Sequence, residues 1–344
     1  MTGFTAAELE RSRRFHRPRY VALVIDLAVS ALALVALAQL RLPSGFWVGL
    51  FIFPLLVNLV LDVLRLPTSW WRHTQDLKFE LSHQSTGAWL GDHAKGLAVG
   101  SVLSLLAFAP LYLLARWLPG AWWWIAAIGA ATLVFVLGFI APVVLEPVFN
   151  RFTALADREL AERLHALAVK AGAPVREILV ADASRRTSRQ NAYVSGIGAT
   201  RRVVLWDTLL ATPADEIAVV LAHELGHRVR RHVVVLTAVG MAGAAAFVVV
   251  LRLVRPHPVP HDTAAILLLA FALELVIQPF VAALSRRFER VADRFSVELT
   301  GDRPAYEALH RDLAVTNLAD LRPPKWLYYW FASHPTAPER LSDA

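Results

Sequence analysis

Residues 219–251, "VVLAHELGHRVRRHVVVLTAVGMAGAAAFVVVL", join two stretches of different chemistry. The first half places His223 and His227 four residues apart, with Glu224 directly after the first histidine. Two side chains at that spacing lie on one face of a helix. The second half is an apolar run of the length that crosses a bilayer. The stretch therefore predicts a metal-binding helix that runs straight into a membrane span.

The composition is that of an integral membrane protein. Of 344 residues, 56% are hydrophobic and only 18% are charged, and the mean hydropathy is +0.47. Ordinary globular domains carry about a quarter charged residues. The chain has no Cys, so disulfides and thiolate ligands are excluded and any metal must be bound by His and carboxylates. We assign the net charge of +7 to residues that flank membrane spans, and we expect no nucleic-acid partner.

Six apolar segments approach the roughly 20 residues that cross a hydrocarbon core. We predict spans at residues 20–40, 46–64, 97–115, 122–145, 233–251 and 264–284. Lys and Arg are enriched before the first span and in alternate loops, and this bias marks the cytoplasmic side. We therefore expect both termini and three segments in the cytoplasm: residues 67–96, 146–232 and 285–344.

The soluble segment before the fifth span has an α, then β, then α pattern. Helical periodicity runs over residues 155–172 and ends at Gly172, and strand patterns occupy 176–182 and 191–207. We expect the second strand pattern to fold back at residues 196–198, which hold two glycines.

The helix that carries the histidines has its own start signals. Thr212 can serve as N-cap and Pro213 suits the first helical position. The fold class predicted from these patterns is a polytopic α-helical membrane protein with a small cytoplasmic α+β domain. We divide it into a four-helix membrane region, a cytoplasmic core that carries the histidine helix, two further spans and a C-terminal part, at residues 1–149, 150–232, 233–284 and 285–344.

The pattern "HELGH" at residues 223–227 is typical of a zinc hydrolase. His223 and His227 can share one Zn²⁺ at about 2.1 Å. Glu224 points beside the metal, where it can take a proton from the attacking water and pass it to the leaving amine. Gly226 costs helix stability, so we expect another backbone to approach it closely. The alternative is two structural histidines in a core.

A third ligand is suggested by exclusion. Positions 230 and 233 lack the glycine and histidine of a three-histidine site. A downstream carboxylate is favoured, and "SRRFERVADRFSVE" at residues 285–298 offers Glu289 and Asp293 on one helix face. Glu289 can ligate zinc while Asp293 fixes the tautomer of a ligand histidine. One alternative stays open: both acids pair with Arg286, Arg287, Arg290 or Arg294 on a solvated face. Glu274 is a rival acid, but at membrane depth it lies too deep to reach a metal at the cytoplasmic edge.

The ordered motifs "NAYVSG", "RRVVLWDTLL", "HELGH", "SRRFERVADRF" and "SHPTAPER" resemble the type I CAAX prenyl endopeptidases, a family of integral-membrane zinc metalloproteases. The resemblance extends to "LPTSWWRHTQDLKFELSHQSTGAWLGDHAKG" and "VLEPVFNRF" in the earlier loops. It implies a gluzincin-type protease domain with one Zn²⁺ per chain. Eukaryotic members have seven spans around an internal chamber, so the six counted here imply that the first is missing.

The resemblance also implies residue roles. It makes His223, His227 and Glu289 the zinc ligands, Glu224 the general base and acid, and Asp293 the partner of a ligand. The edge strand that aligns substrate maps to Asn191, Ala192 and Tyr193. His334 and Arg340, from the last motif, map near the scissile carbonyl or its oxyanion.

We therefore predict a membrane zinc endopeptidase that cleaves extended peptide segments at the membrane–cytoplasm boundary. Its partners would be the bilayer and a peptide or protein substrate. The Ala-, Arg- and Val-rich composition indicates a bacterial cytoplasmic membrane, where prenylated CAAX proteins are not the expected substrates. The alternatives are a membrane quality-control protease, a zinc-binding sensor without protease activity, and a transporter, the last suggested by six spans and Glu274.

Overall fold

The structure is a computed structural model that describes residues 3–40, 44–175, 177–195 and 202–343. The helices within these ranges are α1 Ala6–Gln39, α2 Phe46–Lys78, α3 Thr86–Trp117, α4 Trp122–Ile140, α5 Glu146–Phe149, α6 Arg158–Lys170, α7 Ala214–Val229, α8 His232–Val254, α9 Thr263–Thr300, α10 Arg303–Thr316, α11 Lys325–Phe331 and α12 Ala337–Asp343. The strands are β1 Phe152–Ala154, β2 Ile178–Ala181, β3 Ala192–Ser195 and β4 Arg202–Trp206.

Six helices in the described ranges are long and apolar enough to cross a membrane, which confirms the predicted number of spans. They are α1, α2, α3, α4, α8 and α9. Several extend far beyond the apolar core that hydropathy detects. α9, for example, has 38 residues, and its last four turns leave the apolar segment and enter the soluble module.

Contacts at the helix ends place both termini with the soluble module. Ser12 of α1 donates its hydroxyl to the carbonyl of Ala319 at 2.8 Å. The connection between α2 and α3 joins the same assembly, since the amide of His83 donates to the carbonyl of Arg186 at 3.1 Å. At the opposite end of the bundle, the Trp122 indole donates to the carbonyl of Pro256. Both termini and the α2–α3 connection thus lie at one end of the bundle, and the α3–α4 and α8–α9 connections lie at the other. The Lys/Arg bias predicts the same division of the loops.

The soluble module is built on a four-stranded sheet of order β1-β2-β4-β3. β2 and β4 are parallel, while β1 and β3 pair antiparallel with β2 and β4 respectively. The sequence patterns missed β1, because three residues are too few to show a period. The predicted fold-back at residues 196–198 lies outside the described residues. Within the described ranges β3 has a single neighbour, β4, and is an edge strand.

The core of this module lies between the sheet, α6 and α7. α6 ends at Lys170 and Gly172 has a φ of +66°, as expected for the residue that closes a helix. The largest fully buried side chains of this core are Leu164, Leu205, Leu209, Ile217, Leu221 and Leu225. They hold α7 against the sheet, so that β3 lies beside the ligand helix.

α7 and α9 cross closely at Gly226, as the sequence predicts. A Cβ placed on Gly226 would lie 3.1 Å from the Cα of Ala292 and 3.1 Å from the Phe295 ring. α7 begins at Ala214 with Pro213 as its N-cap, one residue later than expected.

The prediction that α7 runs straight into the fifth span is wrong. α7 ends at Val229, and α8 begins at His232 after Arg231 adopts a left-handed conformation with a φ of 57°. α8 packs along α4, so its direction follows the membrane bundle rather than the axis of α7. The left-handed residue is uncommon for Arg and turns the chain between the two axes.

Replacing Gly226 by Val should destabilise the protein by about 1–3 kcal/mol, because the added methyl groups push α7 away from α9. The thermal unfolding midpoint of the purified protein in detergent should fall, and metal content should fall with it. The matched control is Gly243→Val in α8, where a Cβ would meet nothing within 4 Å. Equal unfolding midpoints for both variants would contradict the close crossing.

Candidate metal centre

The crossing of α7 and α9 brings His223, His227 and Glu289 into one group, whose donor atoms lie within 4.8 Å of one another. The Nε2 atoms of the two histidines are 3.0 Å apart. The Glu289 oxygens lie 3.4 Å from Nε2 of His223 and 3.3 Å from Nε2 of His227. The three side chains predicted as ligands therefore converge on a single point.

Their spacing fits a tetrahedral zinc site. With zinc–ligand distances of about 2.1 Å, two ligands of a tetrahedral ion are about 3.4 Å apart. The two imidazole nitrogens are 3.0 Å apart, and each faces one oxygen of the Glu289 carboxylate, His223 at 3.4 Å from Oε2 and His227 at 3.3 Å from Oε1. Two imidazole nitrogens and one carboxylate oxygen are also a donor set that Zn²⁺ accepts, with a fourth position left for a substrate or water.

Asp293 lies one turn after Glu289 and contacts the first histidine. Its Oδ1 is 2.9 Å from Nδ1 of His223, the ring atom that faces away from the other donors. Burial lowers the pKa of His223, but hydrogen bonds to Asp293 and Glu289 outweigh it and raise the pKa to about 10. Asp293 is thus placed to orient the ring, as the sequence suggests.

Arg340 bridges the two acids of α9. Its guanidinium donates to Asp293 at 2.7 Å and to Glu289 at 2.8 Å. The side chain is 10% exposed. The family resemblance implies a place near an oxyanion for Arg340, and these contacts show that it also binds the carboxylate of the candidate ligand Glu289.

The alternative pairing of Glu289 and Asp293 with arginines on a solvated face is wrong. Both acids are buried, with 6% and 7% exposure. Arg286, the one buried arginine of that segment, donates instead to the carbonyls of Tyr328 and Ala332. Glu274 also fails as the metal-site acid, since it precedes Glu289 by fifteen residues of the same helix, about 22 Å along its axis.

Glu224 lies between the metal group and the edge strand. Its Oε2 accepts a hydrogen bond from the backbone amide of Val194 in β3 at 3.1 Å. Burial raises the pKa of the Glu224 carboxyl above its usual range, although His223 and His227 act in the opposite direction. A buried carboxyl with a raised pKa suits a group that must accept and then return a proton.

The register of β3 decides which of its backbone groups are free. The amide of Trp206 donates to the carbonyl of Asn191, and Tyr193 is paired opposite Val204. Because pairs alternate in an antiparallel ladder, the amide and carbonyl groups of Ala192 and Val194 point to the open edge. Of the predicted substrate residues, Ala192 therefore presents its backbone outward, while Asn191 and Tyr193 face β4.

Tyr193 has a different contact. Its hydroxyl donates to Oε2 of Glu146 at 3.1 Å, and Arg202 donates to the same oxygen at 2.8 Å. Glu146 belongs to the motif "VLEPVFNRF" at the end of the fourth span. These bonds tie the edge strand to the membrane region.

His334 reaches the group from the C-terminal side. Its Nε2 lies 3.5 Å from Oε2 of Glu289, and its other ring nitrogen contacts the Ser333 hydroxyl at 2.7 Å. The side chain is 61% exposed, so it borders the open part of the site.

The site opens into a cavity of about 630 Å³. Its lining combines the metal group, the edge strand and the start of the last helix. Among the lining residues are Gln190, Asn191, Ala192, Tyr193, Val194, His223, Glu224, His227, Glu289, His310, Asn317, His334 and Arg340. A volume of this size takes several residues of an extended peptide.

Two histidines near the metal group escaped the sequence patterns. His310 of α10 lies 3.8 Å from Asp293, and burial together with Arg340 lowers its pKa to about 3. His232 does not match the spacing of a third histidine ligand, yet its Nδ1 is 3.0 Å from Nδ1 of His227. Neither contact has a signal in the sequence, because both depend on packing between helices.

Comparison with known proteins identifies the same regions. The family model for peptidase family M48 matches residues 154–344. A second model, described as the CAAX prenyl protease N-terminal region with five membrane helices, matches residues 19–151. The described part of that match holds four membrane-spanning helices, α1 to α4.

Individual relatives agree with these matches. The chain is 33% identical to an uncharacterized metalloprotease, YhfN, of Bacillus subtilis, over 85% of this chain and 72% of the relative. It is 27% identical to CAAX prenyl protease 1 of Saccharomyces cerevisiae, over 92% of this chain and 76% of the relative. The crystal structure of S. mikatae Ste24p has the same fold, with a TM-score of 0.83, 24% identity, and coverage of 99% of this chain and 89% of that one.

Replacing Arg340 by Ala should cost about 3 kcal/mol of stability, because two buried carboxylates lose their shared cation. The unfolding midpoint of the metal-free protein should fall. Arg287→Ala is the control, since Arg287 lies on the same helix as Glu289 but is exposed. An unchanged midpoint in Arg340→Ala would show that the bridge carries no stability.

Proposed function

The chain belongs to peptidase family M48, and we propose that it hydrolyses peptide bonds with one Zn²⁺ held by His223, His227 and Glu289. It is an integral membrane metalloendopeptidase, as its family and its named relatives are. The observation that carries the proposed zinc site is the convergence of three side chains, with donor atoms within 4.8 Å of one another, beside Glu224.

A Zn²⁺ ion in this position would polarise the scissile carbonyl and lower the pKa of the attacking water. Glu224 takes the proton of that water and returns it to the leaving amine. Asp293 keeps the His223 ring in the tautomer that leaves Nε2 free for metal. Arg340 holds Glu289 in place, and its positive charge, with His334, stabilises the negative charge that develops on the carbonyl oxygen.

An extended peptide would bind along β3. The open edge presents the amide and carbonyl of Ala192 and the carbonyl of Val194, which can pair with an added strand without reading side chains. The amide of Val194 is held by Glu224, so one end of this edge meets the proposed base directly. Main-chain pairing of this kind favours extended segments over folded ones.

We place the site on the cytoplasmic side of a bacterial membrane. Support comes from the Lys/Arg bias of the loops that join the soluble module. In this arrangement residues 1–149 and 233–284 are the membrane regions, and 150–232 with 285–344 form the catalytic module. The substrate is then a peptide segment at the membrane–cytoplasm boundary, cleaved by chemistry like that of the CAAX proteases.

Two variants should distinguish the residue that binds zinc from the residue that transfers the proton. Wild type should purify with one zinc per chain and cleave unstructured peptides. Glu224→Gln should keep the zinc but lose activity by about 10²–10⁴-fold, because the proton acceptor is gone. Glu289→Ala should lose the zinc. Metal analysis and a fluorogenic peptide assay measure both quantities.

The control for these variants is Glu274→Gln, which changes an acid on the same helix as Glu289 and should keep zinc and activity. Zinc retained by Glu289→Ala would refute the third ligand. Full zinc in wild type without cleavage of any peptide would favour a sensor over a protease.

The edge strand is tested by proline. Ala192→Pro removes an outward amide that makes no ladder bond, and edge strands tolerate proline there. The KM for peptides should rise while zinc content stays at one per chain. The comparison variant is Val203→Pro in the interior strand β4, which should unfold the module. An unchanged KM in Ala192→Pro would contradict binding along β3.

A further inference from the structure

His232 lies against the second candidate ligand. Its Nδ1 is 3.0 Å from Nδ1 of His227, and the residue is 4% exposed. Its ring stacks on Phe288 with centroids 4.1 Å apart and an interplanar angle of 5°. Phe288 directly precedes Glu289 in α9. The His232 ring therefore contacts one candidate ligand, His227, and the neighbour in sequence of another, Glu289.

The break between α7 and α8 makes this contact possible. In an uninterrupted helix, residues 227 and 232 would point about 140° apart and could not meet. The left-handed conformation of Arg231 turns the chain, so that the first residue of α8 faces back toward His227. The uncommon backbone conformation therefore has a consequence at the metal group.

A metal bound by Nε2 of His227 would also determine which nitrogen of that ring carries the proton. Nε2 of His227 faces Nε2 of His223 and the Glu289 carboxylate, at 3.0 and 3.3 Å. A neutral imidazole that gives Nε2 to a metal carries its proton on Nδ1. That proton needs an acceptor, and Nδ1 of His232 stands at hydrogen-bond distance from it.

We propose that His232 is a positioning residue for the metal site: its Nδ1 accepts the Nδ1 proton of His227 and so keeps His227 Nε2 available for zinc. This inference rests on the proposed zinc site. With it, every candidate ligand has one outer partner: Asp293 for His223, His232 for His227 and Arg340 for Glu289. Such partners tune metal affinity.

A neutral acceptor suits this location. His232 is the first residue of a helix that enters the apolar region, where a buried carboxylate would need a paired charge. The metal group already contains the Glu289 carboxylate, and the carboxyl groups of Glu224 and Asp293 lie beside it. An imidazole satisfies the proton of His227 and adds no negative charge.

Three variants separate the hydrogen bond from the stacking. His232→Phe keeps a flat ring against Phe288 but has no acceptor. His232→Asn places an amide oxygen near the position of Nδ1. Phe288→Leu removes the stacked ring and leaves the acceptor of His232. Zinc affinity of each purified protein is measured by competition with a chelator, and the unfolding midpoint is measured on the metal-free forms.

We expect His232→Phe to bind zinc 10–100-fold more weakly than wild type, the range found when such partners are removed. His232→Asn should recover most of that loss, and Phe288→Leu should stay within about threefold of wild type by the same measure. The metal-free proteins should unfold at similar temperatures.

Zinc affinity of His232→Phe within twofold of wild type would overturn the inference. So would equal losses in His232→Phe and His232→Asn, because then the acceptor is not the cause. A wild type that binds no zinc would overturn the proposed function itself, whereas a zinc-loaded, active wild type with an unaffected His232→Phe would overturn this inference alone.

Discussion

The close crossing of α7 and α9 is the contact on which the rest of the site depends. The two helices can approach this closely because position 226 is a glycine. A Cβ at that position would lie 3.1 Å from the Cα of Ala292, which is closer than side-chain atoms normally come. At that distance two histidines of one helix and Glu289 of the other reach a common point. Because α9 continues from the membrane bundle into the soluble module as one helix, Thr263–Thr300, the candidate ligand Glu289 stands on a membrane helix.

The break at Arg231 solves a second geometric problem. α7 must lie across α9 to present its histidines, while α8 must follow α4 through the membrane. One left-handed residue joins the two directions and brings His232 to the back of His227. The turn of the chain at Arg231 therefore also produces the contact between His232 and the candidate ligand His227. The membrane helix α8 therefore begins beside the candidate metal group instead of continuing the axis of α7.

Much of this arrangement can be predicted from the sequence, and the features that cannot be predicted share a physical cause. The six spans follow from hydropathy, and the group of His223, His227 and Glu289 follows from helical spacing and donor chemistry. The three-residue strand β1, the turn at Arg231 and the contact of His232 do not, because each depends on tertiary packing rather than on a local period. The outward groups of β3 were likewise hidden until its pairing with β4 gave the register.

X-ray absorption at the zinc edge of the purified protein tests the account most directly, because it reports the donors themselves. The account predicts one zinc per chain with about four nitrogen or oxygen donors near 2.1 Å and the outer-shell scattering of two imidazole rings. The third and fourth donors would be the Glu289 carboxylate and a water or substrate oxygen. A zinc surrounded only by oxygen donors, without imidazole scattering, or a protein that holds no zinc, would contradict it.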